Sequence, residues 1–350
     1  MNAVMSVMSE NVPEEISISP SVGRNRLVIF SGQIYELTLR VREGLPFIPY
    51  ATMNHLVKSA MAQAQEITGI TICHYLWMTN HAHMLVIVND PEMLVKFYGI
   101  VKKSLTDHMK RLLGLRSLCM WEGRKVQLIP DLETMLSRIA YFYANPAKAN
   151  LEDRIDDYRG LSSFVAFANS GGARDYEYRE KADWVRPKYL KALSDRVLSP
   201  SQDRALLEDL KERAYYQNDL VICPNAWLKV FDVAPHRELA LMQRALGMVK
   251  KRERSAREAR LKEGKGIMGA RILCQAIMTP CLPKKNEPGL FVISKDKWLR
   301  ISIISRVREV RRLCYLLYHR DFKHGKVVNW PPGTFPPRGP MSSHALLGGP

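Results

Sequence analysis

The sequence predicts an α+β fold: an antiparallel sheet with helices on one face, followed by a basic and mostly helical C-terminal region. Two observations support this. Between Arg24 and about Phe164, strand-type and helix-type patterns run in the order strand, helix, strand, strand, helix, strand, helix. That is the βαββαβ order of ferredoxin-like sheets with one helix added. Beyond about Val165 a Gly171-Gly172 break and a charged stretch lead into helical patterns rich in lysine and arginine.

The elements follow from local chemistry. Leu27 to Arg42 is the first strand candidate, with Ile34, Tyr35, Leu37 and Leu39 as its β-type residues. Tyr50 to Gln65 places Met53, Leu56, Val57, Ala60 and Met61 at helical spacing. Ile70 to Trp77 and His83 to Val88 are apolar runs around Met78-Thr79-Asn80, the pattern of an antiparallel hairpin. Pro91 and Glu92 open a helix to about Leu113, and Lys125 to Ile129 forms a short strand. The added helix starts near Leu132, after Pro130 and a capping Asp131.

These patterns divide the chain into a mobile N-terminal tail (1–23), a mixed strand-and-helix domain (24–165), a basic, mostly helical accessory region (166–328) and a Pro/Gly-rich tail (329–350). The 350 residues carry a formal net charge of +17, which favours a polyanionic partner, nucleic acid before an acidic membrane surface. No C-x-x-C pair, secretory h-region or bilayer-length apolar run is present. A soluble, cytoplasmic protein without a disulfide frame is therefore expected.

Two groups of residues point to chemistry. His81 and His83 stand two apart at the start of a strand, so strand periodicity puts both imidazoles on one face, able to grip a divalent ion. The apolar run Met84 to Val88 would hold them stiffly. His74, seven residues before His81, reads as structural. In the helix after Asp131, Leu132, Met135, Leu136, Ile139 and Tyr143 form an apolar face at about 100° per residue. Tyr141 lies about 180° from Leu132, with Thr134, Arg138 and Asn145. Tyr143 thus reads as core and Tyr141 as a projecting phenol, although Pro146 biases Asn145 away from helical angles. Alone, either group has an ordinary reading: two unremarkable histidines, one amphipathic tyrosine.

Together the two segments resemble a family. Met78-Thr-Asn-His-Ala-His-Met-Leu85 is similar to the M-P-N-H-x-H-x-L signature of REP-associated tyrosine transposases, in the single-tyrosine HUH endonuclease superfamily. Tyr141-Phe-Tyr-Ala-Asn-Pro-Ala-Lys-Ala149 resembles that family's Y-I-x-x-N-P-V-R-A segment, and Tyr158-Arg-Gly-Leu-Ser-Ser-Phe164 its Y-x-W-S-S-Y stretch. The resemblance spans about Arg24 to Phe164. It departs at Thr79 (usually proline), at Glu36 (often histidine) and at Gly160-Leu161 (in place of tryptophan).

The resemblance implies a transposase that cuts and rejoins single-stranded DNA at palindromic hairpins through a 5′-phosphotyrosine. Tyr141 would be the nucleophile, and His81, His83 and Asn145 the ligands of Mg²⁺ or Mn²⁺. The candidate DNA contacts are Arg40, Arg138 and Lys148 near the motifs, and Lys250, Lys251, Arg252 and Arg254 in the basic run downstream. The protein would act as a monomer or homodimer, with no membrane partner. Two rival readings stay open: a non-catalytic hairpin DNA- or RNA-binding protein on this fold, and a replication-initiation or relaxase-type nuclease. The basic run also reads as a solvated helical face.

Overall fold

The computed structural model describes residues 27–123, 125–281, 291–335 and 337. The expected tail 1–23 and most of the tail 329–350 lie outside them. The first part of the chain forms β1 (Gln33–Arg40), α1 (Ala51–Thr68), β2 (Thr71–Trp77), β3 (His81–Val88), α2 (Pro91–Leu112), β4 (Lys125–Ile129), α3 (Leu132–Tyr143) and α4 (Asn145–Lys148). The second part adds α5 (Phe164–Ala168), β5 (Tyr178–Lys181), α6 (Pro200–Glu212), β6 (Asp219–Ile222), α7 (Trp227–Val230), α8 (Glu238–Lys262) and α9 (Lys297–Arg320).

Among the described residues one sheet runs in the order β4-β1-β3-β2-β6-β5. Its first four strands are antiparallel neighbours, as the βαββαβ order requires. The α+β prediction is met. One strand is shorter than expected: Gly32 (φ 71°) turns the chain and donates to the Val88 carbonyl, so β1 begins only at Gln33. Leu27 to Phe30 run instead beside the C-terminal segment, with Val28 bridging Thr334 and Ile29 N–H donating to the Gly333 carbonyl.

The basic region is mostly helical, as predicted, yet it also supplies two strands of this sheet. β6 pairs in parallel with β2 at Ile72 and Ile222, and β5 closes the edge antiparallel to β6. The free backbone of Val221 is satisfied by a side chain. Gln65, in the last turn of α1, accepts from its N–H at 2.8 Å and donates to its carbonyl at 2.8 Å.

The two faces of the sheet are covered differently. Trp77, which pairs with Ala82, points its indole N–H at Met61 Sδ of α1. Ala82 lies between His81 and His83, so α1 packs on the face opposite to both histidines. The histidine face is roofed by α3, and α8 lies against α3, tied by the Arg244–Glu133 pair and by an Arg252 to Ser137 hydrogen bond.

Candidate active site

The sheet supplies a rigid half-site. Register places Arg40 opposite His81, Thr38 opposite His83 and Glu36 opposite Leu85, so all five polar side chains share one face. The two imidazoles stand 5.1 Å apart, centroid to centroid, at 89°. Each is pinned through Nδ1. His83 Nδ1 bonds Glu36 Oε1 at 2.9 Å, and His81 Nδ1 bonds Asn80 Oδ1 at 2.8 Å. Since both partners are acceptors, Nδ1 donates from each ring, which makes Nε2 the lone-pair nitrogen of the neutral imidazole. Burial, then the neighbouring His83 and Arg40, hold His81 neutral down to about pH 3.

Glu36 is the unexpected member. It is 1% exposed, and Arg138 of α3 grips it with Nε and Nη2, each at 2.6 Å. Burial opposes its charge, but the His83 hydrogen bond and Arg138 outweigh burial and hold the carboxyl below its ordinary range. Thus a residue that looked like a mere departure from a motif joins β3 to α3. The available signal was a lone carboxylate in the apolar run Ile34-Tyr35-Glu36-Leu37.

Helix α3 supplies the other half. Asp131 caps it as expected, accepting from Thr134 N–H at 2.7 Å. Regular α3 ends at Tyr143, and α4 restarts at Asn145 with Pro146 in its first turn. Tyr143 is fully buried, its hydroxyl between His74 Nδ1 (2.8 Å) and Ser163 Oγ (3.0 Å). Burial drives this phenol up and keeps His74 neutral to about pH 3, so both read as packing. Tyr141 is only half-buried, and its ring meets His83 edge-on, with centroids 5.6 Å apart. Arg138 lies 4.1 Å and Lys148 5.7 Å from the Tyr141 ring centre. Asn145 is buried one turn beyond, and its amide nitrogen has no hydrogen-bond partner among the described residues.

Beside Tyr141 a cleft of about 560 Å³ opens between the end of α3 and α8, with Lys148, Lys251 and Arg252 on its walls. The structure thus brings Tyr141, His81, His83, Arg138, Lys148, Lys251 and Arg252 into one neighbourhood. Arg40 faces the same side of the sheet and pairs with Glu122 at 3.6 Å. Lys250 and Arg254 are exposed on the opposite side of α8, away from the cleft.

No protein-family model and no curated protein matches the sequence. A solved structure of a REP-associated tyrosine transposase bound to a REP hairpin is similar to 42% of this chain and 86% of its own, with 18% identity and a TM-score of 0.36.

Chemically, the arrangement offers one phenol at a solvent-open edge, two imidazole lone pairs on a stiff strand, and cations for a phosphate. Among the described residues no three His, Cys, Asp or Glu side chains gather as a metal site, so the histidine pair would need other ligands to complete a shell. The Asn145 amide and substrate oxygens are of a suitable kind. The Nδ1-anchored tautomers are those that a metal-binding histidine uses. No helix among the described residues is long and apolar enough to cross a membrane.

Proposed function

We propose that this protein is a tyrosine transposase-type nuclease that cuts and rejoins single-stranded DNA, with Tyr141 as nucleophile. The observation that carries the reading is the contact of the Tyr141 ring with His83, whose tautomer is fixed by Glu36. Of the two tyrosines in the motif, only Tyr141 has access to a substrate.

In this reading the Tyr141 oxygen attacks a phosphodiester phosphorus. The bond to the upstream 3′-oxygen breaks, and that oxygen leaves as a hydroxyl as the phenol loses its proton. The downstream strand remains joined to the protein as a 5′-phosphotyrosine. Because the phosphodiester energy is retained in that bond, a 3′-hydroxyl can attack it to rejoin DNA without a nucleotide cofactor. Arg138 and Lys148, close to the ring, attract the phosphate and orient the phenol toward it. His81, His83 and Asn145 would hold Mg²⁺ or Mn²⁺, which supplies Lewis-acid polarisation of the attacked phosphate when bound. Single-stranded DNA suits the site because an unpaired strand can bring a phosphate down to a sheet surface roofed by α3. Hairpins flanking a cut site are the proposed natural substrates, and the sequence resemblance supports that choice.

The test incubates the full chain with labelled single-stranded hairpins from its flanking DNA, with Mn²⁺ or with EDTA. A covalent protein–DNA band that needs Mn²⁺ is expected for the wild type and for Tyr143→Phe if that variant folds. It should vanish in Tyr141→Phe and His83→Ala. Binding without any adduct would instead leave a non-catalytic hairpin binder.

A further inference from the structure

The cleft beside Tyr141 has two chemical halves. Lys148, Lys251 and Arg252 line it as cations, and no acidic residue is among its lining residues. Ala144, Met248 and Ala256 add small or flexible apolar groups, Ser255 adds a hydroxyl, and the Tyr141 ring forms part of the wall. Its volume, about 560 Å³, lies in the range of clefts that hold small organic ligands. Cations beside an aromatic and apolar surface are the combination that binds an unpaired nucleotide: phosphates go to the charges and the base to the apolar face.

The α8 wall is fixed on both sides of this stretch. Arg244 makes two bonds to Glu133 of α3, at 2.6 and 2.7 Å. Further along, Glu253 accepts from the Ile155 N–H at 2.7 Å, and buried Arg260 holds Asp153 at 2.6 Å. Met248, Lys251, Arg252 and Ala256 fall on one side of the helix between these ties, facing the cleft. A helix held this way presents its cations at little ordering cost.

We infer that the cleft between α3, α4 and α8 is a nucleotide-binding subsite: it receives one unstacked base of the DNA strand next to the phosphate that Tyr141 attacks. Lys148, Lys251 and Arg252 hold the phosphates flanking that base. The position of the subsite relative to the cut rests on Tyr141 being the nucleophile; the affinity of the cleft for a base does not.

The experiment measures binding by fluorescence anisotropy, with the full-length Tyr141→Phe protein and no metal. Two probes are used, a fluorescein-labelled oligo-dT strand and an abasic strand of equal length with the same phosphates. The parent protein should bind oligo-dT about tenfold more tightly, as expected for about one stacked base. Ala256→Leu, which fills the apolar side, should erase that preference, with a native circular dichroism spectrum showing that the variant is folded. Lys251→Gln should weaken both probes. Equal affinity of the parent for the two strands, or a base preference that survives Ala256→Leu, would overturn the subsite. The adduct assay separates the two readings. Cleavage without base preference leaves the nuclease and removes the subsite; base preference without an adduct does the reverse.

Discussion

Glu36 shows how one side chain sets a site. Its carboxylate fixes the tautomer of His83 and holds Arg138 under the Tyr141 ring. On the proposed reading, in which His83 holds the metal, Glu36→Gln is expected to lower the rate of adduct formation about 10–100-fold while circular dichroism stays native. Glu36→Ala leaves Arg138 without its buried partner and should cost about 3 kcal/mol in urea melts. Buried histidines give the fold a pH dependence whose sign is fixed. Burial lowers His74 from 6.5 to about 3 and His108 from 6.5 to about 4. The unfolded chain binds protons that the folded one refuses, so this contribution is intact above pH 6.5 and is lost as pH falls toward 4 and 3. Urea midpoints measured across that window should fall with pH, and His108→Gln should flatten part of the slope. At this scale the sequence was legible where periodicity decided: the angle between Tyr141 and Tyr143 follows from 100° per residue. The Glu36–Arg138 pair spans 102 positions, and no local pattern encodes it.

Helix α3 was legible because its boundaries are chemical. Asp131 caps the start and Pro146 disturbs the end. Asp131 also takes a hydrogen bond from Ser294 Oγ at 2.6 Å. Its replacement by alanine should cost about 1–2 kcal/mol, read by thermal or denaturant unfolding. Strands β5 and β6 were not legible. Each has only four residues, and β5 reads Tyr-Arg-Glu-Lys, a charged edge without an apolar alternation. Part of what holds β6 is distant: Gln65 on α1 bonds both backbone groups of Val221. Gln65→Leu strands those groups, and a loss of roughly 1–3 kcal/mol is expected. Hydrogen exchange of the Val221 amide should report it first.

For the whole molecule, the charge of +17 includes a basic run on α8 that the fold divides between two sides of the helix. Lys251 and Arg252 reach the cleft beside Tyr141, whereas Lys250 and Arg254 point away from it. A linear run of basic residues could not reveal that division, because only the seating of α8 against α3 selects the facing side. Lys251→Gln should reduce the slope of log affinity for single-stranded DNA against log salt by about 0.7, with a smaller change for Lys250→Gln. The two halves of the chain are joined through one sheet and through α8 on α3.

The central claim is the identity of the nucleophile, and peptide mapping addresses it directly. The protein is reacted with a single-stranded hairpin substrate and Mn²⁺, the DNA is trimmed with nuclease, and the protein is digested with trypsin. Cleavage after Arg138 and Lys148 releases a peptide carrying both Tyr141 and Tyr143. Fragmentation should place the nucleotide remnant on Tyr141. A remnant on Tyr143 would contradict the account, since that hydroxyl is buried between His74 and Ser163.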